Sequence, residues 1–212
     1  MNRALANGTL VILLVHVAEM PSRADHLTGD AAGLSGPSSV ITFDELGNLQ
    51  NQVITNQFAA FGATFENFGW DNATRGQNGS TGFSGGDLVN GFAPFPTAEP
   101  MVISFSNPIR AAAFATVDQG GTFMLNAYLG GISGTLVDSF NVIISGNPGT
   151  GFIGFAKEDF DTIQIAPTAS SAISIDTLQF QQSAVVPEPT SIMLLGTIAV
   201  GMGLLNLRRP RR

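Results

Sequence analysis

The sequence predicts an all-β fold, in which antiparallel strands form a two-sheet sandwich of jelly-roll or related type, followed by one C-terminal transmembrane helix. Short runs rich in Val, Ile, Phe and Thr recur about every ten to fifteen residues between Gly, Asn, Asp and Pro. Polarity alternates with period two within these runs. In residues 123–128, for example, Phe, Leu and Ala alternate with Met, Asn and Tyr. This alternation is typical of a strand with one buried face.

Nine runs qualify as strands, and they define a folded region of residues 40–182. A region of about 140 residues suits one domain with its own core and leaves no room for a second. So many short strands in one domain indicate two packed sheets. The predicted strands are Val40–Phe43, Ala63–Phe68, Met101–Phe105, Arg110–Val117, Thr122–Tyr128, Leu136–Ile144, Phe152–Phe155, Phe160–Ala166 and Ile173–Phe180.

Residues 1–24 have the character of a secretory signal peptide. An apolar stretch at residues 10–17 is too short to span a membrane, and a small-x-small cleavage pattern ends at Ala24. Cleavage is expected after Ala24, or less favourably after Ala18. A retained N-terminal helix is the alternative, and both interpretations imply export. Residues 25–39 are rich in Gly and Ser and have little to bury, so they are predicted to form a flexible leader.

Acidic residues just after the first predicted strand and within the last one suggest a cation site. The apolar positions of the last strand change phase, which predicts a β-bulge at Asp176-Thr177. The first strand ends directly before Asp44 and Glu45. If the first and last strands pair, three carboxylates approach one edge, and such oxygen ligands suit calcium. Asp44, Glu45 and Asp176 are therefore candidate calcium ligands. The alternative is that Asp44 and Glu45 are solvated acids and Asp176 caps the bulge.

Residues 67–100 form a long irregular insertion that carries Trp70, Phe83, Phe92 and Phe95 among many Gly, Asn, Asp and Ser. Loops of this length are usually functional or disordered. Aromatic planes beside amides and carboxylates are what sugar binding needs, because the ring stacks on the sugar while the polar groups bind its hydroxyls. Trp70, Asp71 and Asn72 are the leading candidates for a glycan site. The alternative is that Trp70 is a core residue of the sandwich.

The last residues, 183–212, combine three features. Pro187, Glu188 and Pro189 predict an extended, accessible segment. An apolar run follows, and a transmembrane helix over residues 191–207 would be short but able to cross with local thinning of the bilayer. Arginines after the helix are expected to stay on the cytoplasmic side, which places the rest of the chain outside. These arginines are Arg208, Arg209, Arg211 and Arg212.

The order of a Pro-Glu-Pro triplet, a short Gly-containing apolar helix and a terminal Arg cluster resembles a PEP-CTERM sorting signal. The resemblance implies a transient inner-membrane anchor that an exosortase-type transpeptidase recognises at Pro187, Glu188 and Pro189. It also implies a Gram-negative source and a final location at the cell surface or in the extracellular matrix. A plain C-terminal anchor with a rigid Pro-rich stem is the alternative.

The domain itself resembles, more loosely, the ectodomain common among PEP-CTERM proteins. The segments that carry this likeness run from ITFDEL, near the start, through MVISFSNPIRAAAF and FMLNAYLGG to ISIDTLQF at the end. The resemblance implies a lectin-like or galactose-binding-like β-sandwich that serves as a binding module, without indicating a particular ligand.

Charge and composition narrow the function further. Residues 25–186 hold 14 acidic and 3 basic residues, a net charge of −11, so nucleic acid is not an expected partner. The chain has no cysteine, and its two histidines, His16 and His26, precede the predicted domain, so a Ser-His-Asp triad is not expected there. The sequence thus predicts an exported, non-catalytic protein that binds or associates with extracellular polysaccharide. The alternatives are a purely structural envelope protein and a calcium-dependent glycosidase.

Overall fold

A computed structural model describes residues 25–47, 49, 51–71, 85–90, 99–118, 121–144, 151–168 and 173–183. These residues form strands and one short 3-10 turn, Ala59–Phe61, and every strand pair is antiparallel. The predicted all-β, antiparallel class is therefore confirmed. The strands are β1 Asp25–Asp30, β2 Ser39–Ile41, β3 Val53–Ile54, β4 Ala63–Glu66, β5 Phe68–Asp71, β6 Asp87–Val89, β7 Met101–Asp118, β8 Gly121–Leu129, β9 Thr135–Ile144, β10 Gly151–Pro167 and β11 Ile173–Gln182.

The strands form one continuous hydrogen-bonded system that folds into two layers. The first sheet has the order β3-β5-β6-β11, followed by the C-terminal part of β7, the N-terminal part of β10 and β1, with β2 also on β11. The second sheet consists of β4, the N-terminal part of β7, the C-terminal part of β10, β8 and β9. The two longest strands therefore belong to both sheets, as in sandwiches whose strands switch layers at bends.

β10 changes sheets at a bulge around Lys157. Its pairing with β7 shifts register between Ala156 and Phe160, and Lys157 lies in the left-handed region at φ 80°. Such bulges bend a strand and increase its twist. Two pairs of predicted strands are consequently each one bent strand: 152–155 with 160–166 in β10, and 101–105 with 110–117 in β7.

The predicted single strand Ala63–Phe68 is wrong, because the chain turns sharply at Asn67. Asn67 has φ 63°, a conformation that Asn tolerates better than most residues. Its side-chain amide donates a hydrogen bond to the Pro100 carbonyl, with an N···O distance of 2.7 Å. The turn separates β4 in the second sheet from β5 in the first.

Phenylalanine side chains fill the space between the sheets. Phe105 of the second sheet lies 5.1 Å, centroid to centroid, from Phe180 of the first, and Phe65 of the second sheet lies 5.5 Å from Phe68 of the first. Phe43, which follows β2, packs edge-on against Phe65 at 5.7 Å. Edge-to-face aromatic pairs of this kind add stability beyond the area they bury. The core of the sandwich is therefore largely aromatic.

Residues 25–39 are not the flexible leader that the sequence predicts. They contain β1 and the start of β2, and Leu27 and Leu34 pack on a small apolar cluster of Ala113, Ala115 and Phe152. This cluster lies on the face of the first sheet that points away from the main core, and the N-terminal segment covers it. Its backbone is also tied down, since the N–H of Leu34 donates to the Gln179 side chain at 2.7 Å.

β1 is also attached to the second sheet through His26. The His26 ring stacks on Phe140 of β9 with a centroid distance of 4.0 Å, and Nε2 lies 2.9 Å from the Asp138 carboxylate. We expect His26→Ala to lower the free energy of unfolding by about 1–2 kcal/mol, because one stacked pair and one hydrogen bond are lost. Urea unfolding of the full chain measures this. The exposed Thr28→Ala change in the same strand is the control, and equal effects of both changes would contradict a role for His26.

Several predictions fall on residues that the structure does not describe. The signal peptide, the Pro-Glu-Pro segment, the helix at residues 191–207 and the arginine cluster all lie outside the described residues. Within the described residues, no helix is long and apolar enough to cross a membrane.

Candidate functional site

The outer face of the second sheet carries polar side chains on adjacent strands. On β8, Leu125 and Ala127 point into the core, so Asn126 and Tyr128 point outward. Asn126 stands opposite Gln164 of β10, and Tyr128 stands opposite Thr162. We call this surface the outer polar face and define it by Asn126, Tyr128, Thr162, Gln164 and Ser139.

Hydrogen bonds connect these side chains across three strands. The Asn126 amide donates to Gln164 Oε1 at 2.9 Å, and the Tyr128 hydroxyl lies 3.3 Å from the same oxygen. On the other side, the Ser139 hydroxyl of β9 donates to Asn126 Oδ1 at 2.7 Å. Each amide is therefore oriented by its neighbours before any ligand arrives, which limits the entropy that binding must remove.

Exposure varies across this face. Asn126 is 7% exposed and Thr162 is 2% exposed, whereas Tyr128, Gln164 and Ser139 are half-buried. Met124, the next outward residue of β8, is 38% exposed and adds apolar surface. The face thus combines one aromatic ring with amide and hydroxyl groups. This combination can bind a polyhydroxylated ligand by stacking and hydrogen bonding together.

Asp161 fixes the turn that follows β8. Its two carboxylate oxygens accept hydrogen bonds from the backbone N–H groups of Gly130 and Gly131, at 2.8 and 2.9 Å. Burial raises the pKa of Asp161, but hydrogen bonds from Gly131, Gly130 and the Thr162 hydroxyl outweigh it, so the net pKa is lowered. The carboxylate therefore holds the β8–β9 turn in place next to Tyr128.

Because the pKa of Asp161 is lowered by folding, its contribution to stability is present above the unfolded pKa, near pH 4, and disappears as the pH falls further. We expect Asp161→Asn to cost about 1 kcal/mol of unfolding free energy at pH 7 and clearly less at pH 3. Urea unfolding at both pH values measures the difference. Glu66→Gln, which changes an exposed acid, is the control. An equal cost of Asp161→Asn at both pH values would show that the turn does not depend on the ionised carboxylate.

The structure does not support a sugar-stacking role for Trp70. Its side chain is 4% exposed and belongs to the core cluster, and its indole N–H donates to the Phe43 carbonyl at 3.1 Å. Asp71 is 2% exposed and stands opposite Asp87 of β6. Asn72 lies outside the described residues. The alternative interpretation, in which Trp70 is a core residue, is the one that the structure supports.

The three candidate calcium ligands do not form a metal site. Among the described residues, no three His, Cys, Asp or Glu side chains lie close enough to hold a metal ion. Asp44 is exposed and accepts a hydrogen bond from the Gly86 N–H at 2.8 Å, and Glu45 is exposed and accepts one from the Thr42 N–H at 2.6 Å. The first and last strands do pair, as β2 and β11. The three carboxylates nevertheless accept hydrogen bonds from three different backbone N–H groups.

The predicted bulge in the last strand is confirmed. The register between β11 and β7 shifts between Asp176 and Gln179, and Thr177 has φ 43°. Asp176 is 1% exposed, and its carboxylate accepts a hydrogen bond from the Thr177 N–H at 2.6 Å. The bulge thus lets both apolar registers of the strand face inward. Asp176 caps it, as the alternative to calcium binding supposed.

Sequence reasoning missed the outer polar face as a candidate site. The alternation in β8 already places Asn126 and Tyr128 on one face, and this part of the prediction is confirmed. Their partners Ser139 and Gln164 lie 13 and 38 residues from Asn126 and meet it only through the antiparallel register of β8 with β9 and β10. Knowledge of that register would have revealed the site.

No protein-family model matches this chain, and no curated protein matches it. Among solved structures, it is similar to a mutant of a family 29 carbohydrate binding module, with 12% identity, a TM-score of 0.33, and coverage of 78% of this chain and 99% of that chain. It is also similar to TmCBM61 in complex with beta-1,4-galactotriose, with 14% identity, a TM-score of 0.34, and coverage of 63% of this chain and 99% of that chain.

Proposed function

We propose that this chain is an exported, non-catalytic protein that binds polysaccharide through the outer polar face. One observation carries the proposal: the hydrogen-bonded row of Ser139, Asn126, Gln164 and Tyr128 across three strands. The row offers an aromatic ring beside amides whose orientation is already set.

Physical chemistry favours a sugar over other ligands of similar size. A sugar ring presents C–H groups on its faces and hydroxyls at its rim, so it needs an aromatic or apolar surface beside groups that both donate and accept hydrogen bonds. Amides do both, whereas the carboxylates and ammonium groups needed for ionic ligands are not among the five residues that define the face. The face also spans adjacent strands, which suits an extended chain of sugar units.

The C-terminal segment is proposed to direct the sorting of the exported protein. The Pro-Glu-Pro triplet, the apolar segment and the terminal arginines support sorting by an exosortase-type transpeptidase from a transient inner-membrane anchor to the cell surface or matrix. The net charge of −11 for residues 25–186 is compatible with a soluble, highly hydrated ectodomain and unfavourable for nucleic acid.

Affinity electrophoresis of the purified full chain tests the binding function. The gels contain neutral polysaccharides (a β-1,4-glucan, a β-1,4-mannan and a β-1,4-galactan) or the acidic polysaccharide alginate. Saturable retardation by at least one neutral polymer is expected, and Gln181→Ala, an exposed change on the first sheet, should leave it unchanged. Mobility that no polymer alters would contradict glycan binding and favour the alternative of a purely structural envelope protein.

A further inference from the structure

Apart from the outer polar face, a concave surface lies where β10 bends from one sheet to the other. It is a cleft of about 460 Å³ between the bend of β10, Arg110 of β7, the end of β8 and the first part of β9. Leu129, which lines it, directly follows Tyr128 along β8, so the cleft lies beside the end of the strand that carries Tyr128.

The lining combines hydrogen-bond donors, acceptors and apolar groups. Arg110 and Lys157 provide donors, Glu158 and Asp159 provide carboxylate acceptors, and Leu129 and Val137 provide apolar surface. Some of these groups are already engaged: Lys157 forms an ion pair with Asp25 of β1, and Asp159 accepts a hydrogen bond from the Ser183 hydroxyl at 2.6 Å.

Glu158 differs from its neighbours in the cleft. One of its carboxylate oxygens is buried and has no hydrogen-bond partner within the described residues. A buried acceptor without a donor is costly. The Glu158 side chain as a whole is only half-buried and lines the cleft, so a ligand hydroxyl can donate to its carboxylate group. Arg110 is exposed and can donate to the same ligand. An acceptor and a donor beside apolar surface are the groups that neighbouring hydroxyls of one sugar ring require.

Charge decides which kind of sugar fits. The two basic side chains of the cleft are balanced by two carboxylates, and the surrounding region of residues 25–186 carries a net charge of −11. A negatively charged polymer would be repelled by that field, whereas a neutral sugar would not.

We propose that this cleft is a subsite for one neutral sugar residue, whose neighbouring hydroxyls accept from Arg110 and donate to Glu158. The inference rests on the proposed glycan-binding function and extends it, because it makes the protein selective for neutral over acidic glycans.

Nuclear magnetic resonance of the isotope-labelled full chain in a mild detergent tests this subsite separately from the face. The probes are the methyl β-glycosides of glucose, galactose and mannose, and methyl β-glucuronide as an acidic analogue of the glucoside. We expect at least one neutral glycoside to cause saturable shifts of the Arg110 Nε–H signal and of the backbone amides of residues 157–159. The glucuronide should shift them less. Glu158→Ala should weaken the effect about tenfold or more, and Glu99→Ala, an exposed acid before β7, should not change it.

Each other outcome overturns the subsite. Shifts confined to the side-chain amides of Asn126 and Gln164 would refute the cleft and leave the proposed function intact. A stronger response to the glucuronide would refute selectivity for neutral sugars. If no monosaccharide shifts any signal of the cleft, the subsite is refuted, while the polysaccharide gels still decide the function of the face. Unfolding midpoints of Arg110→Ala and Glu158→Ala establish that lost binding is not lost folding.

Discussion

Trp70→Ala is expected to lower the free energy of unfolding by about 3–5 kcal/mol, a large fraction of the roughly 5–15 kcal/mol that stabilises a typical domain. Burial, a hydrogen bond and close packing explain this size. The indole is 4% exposed within the core, and its N–H satisfies the Phe43 carbonyl. A Cβ atom added at Gly86 would lie 2.3 Å from the indole ring, which shows how closely the backbone just before β6 packs on it. Urea unfolding of the full chain measures the loss.

Trp70→Phe separates the structural role of this residue from a binding role. Phe retains an aromatic ring in the core but has no N–H, so we expect a smaller loss of about 1–3 kcal/mol and unchanged retardation by polysaccharide. The opposite pattern, normal stability with lost retardation, would restore Trp70 as the sugar-stacking residue that the sequence suggests.

Tyr128→Ala is expected to weaken binding of a retarding polysaccharide about 10- to 100-fold, because aromatic residues at the centre of an interface often contribute about 2 kcal/mol or more. The change removes the only aromatic ring among the five residues that define the outer polar face. It also removes the hydroxyl that lies 3.3 Å from Gln164 Oε1. Titration of the full chain with oligosaccharides of the retarding polymer measures the effect.

Tyr128→Phe is the matched control for this change. It keeps the ring and loses only one long hydrogen bond, so we expect less than about a fivefold loss of affinity. Equal losses for Tyr128→Phe and Tyr128→Ala would show that the hydroxyl, and not stacking on the ring, provides the binding energy. No loss for either change would place the ligand elsewhere.

Much of the fold could be predicted from local patterns, because the alternation of apolar and polar residues is visible within each strand. The bulge at Asp176-Thr177 followed from a change of phase inside one strand, and the structure confirms it. The turn at Asn67 was missed, since the apolar pattern continues across it and only the left-handed backbone conformation reveals the break. The sequence does not predict that residues 25–39 adopt a defined structure, because the residues that they contact, Gln179 and Phe152, are distant in the sequence.

The candidate site was harder to predict than the fold, because it depends on which strands are neighbours. The residue type of Trp70 suggests a sugar-binding role, yet β5 belongs to the first sheet and the Trp70 side chain packs in the core of the sandwich. Asp44 and Asp176 were expected to meet because their strands pair, but each carboxylate accepts from a nearby backbone N–H instead. No sequence pattern marks Gln164 as a site residue. It accepts hydrogen bonds from two side chains only because β10 pairs with β8.

The most direct test of the outer polar face is one titration series with the oligosaccharide of a retarding polysaccharide, applied to the unmodified full chain, Gln164→Ala and Asn72→Ala. Gln164 accepts from both Asn126 and Tyr128, so its removal takes one orienting hydrogen bond from each of these side chains. We predict about a tenfold or greater loss of affinity for Gln164→Ala and none for Asn72→Ala. Unchanged binding by Gln164→Ala together with a loss for Asn72→Ala would contradict the account and move the binding site to the insertion that follows β5.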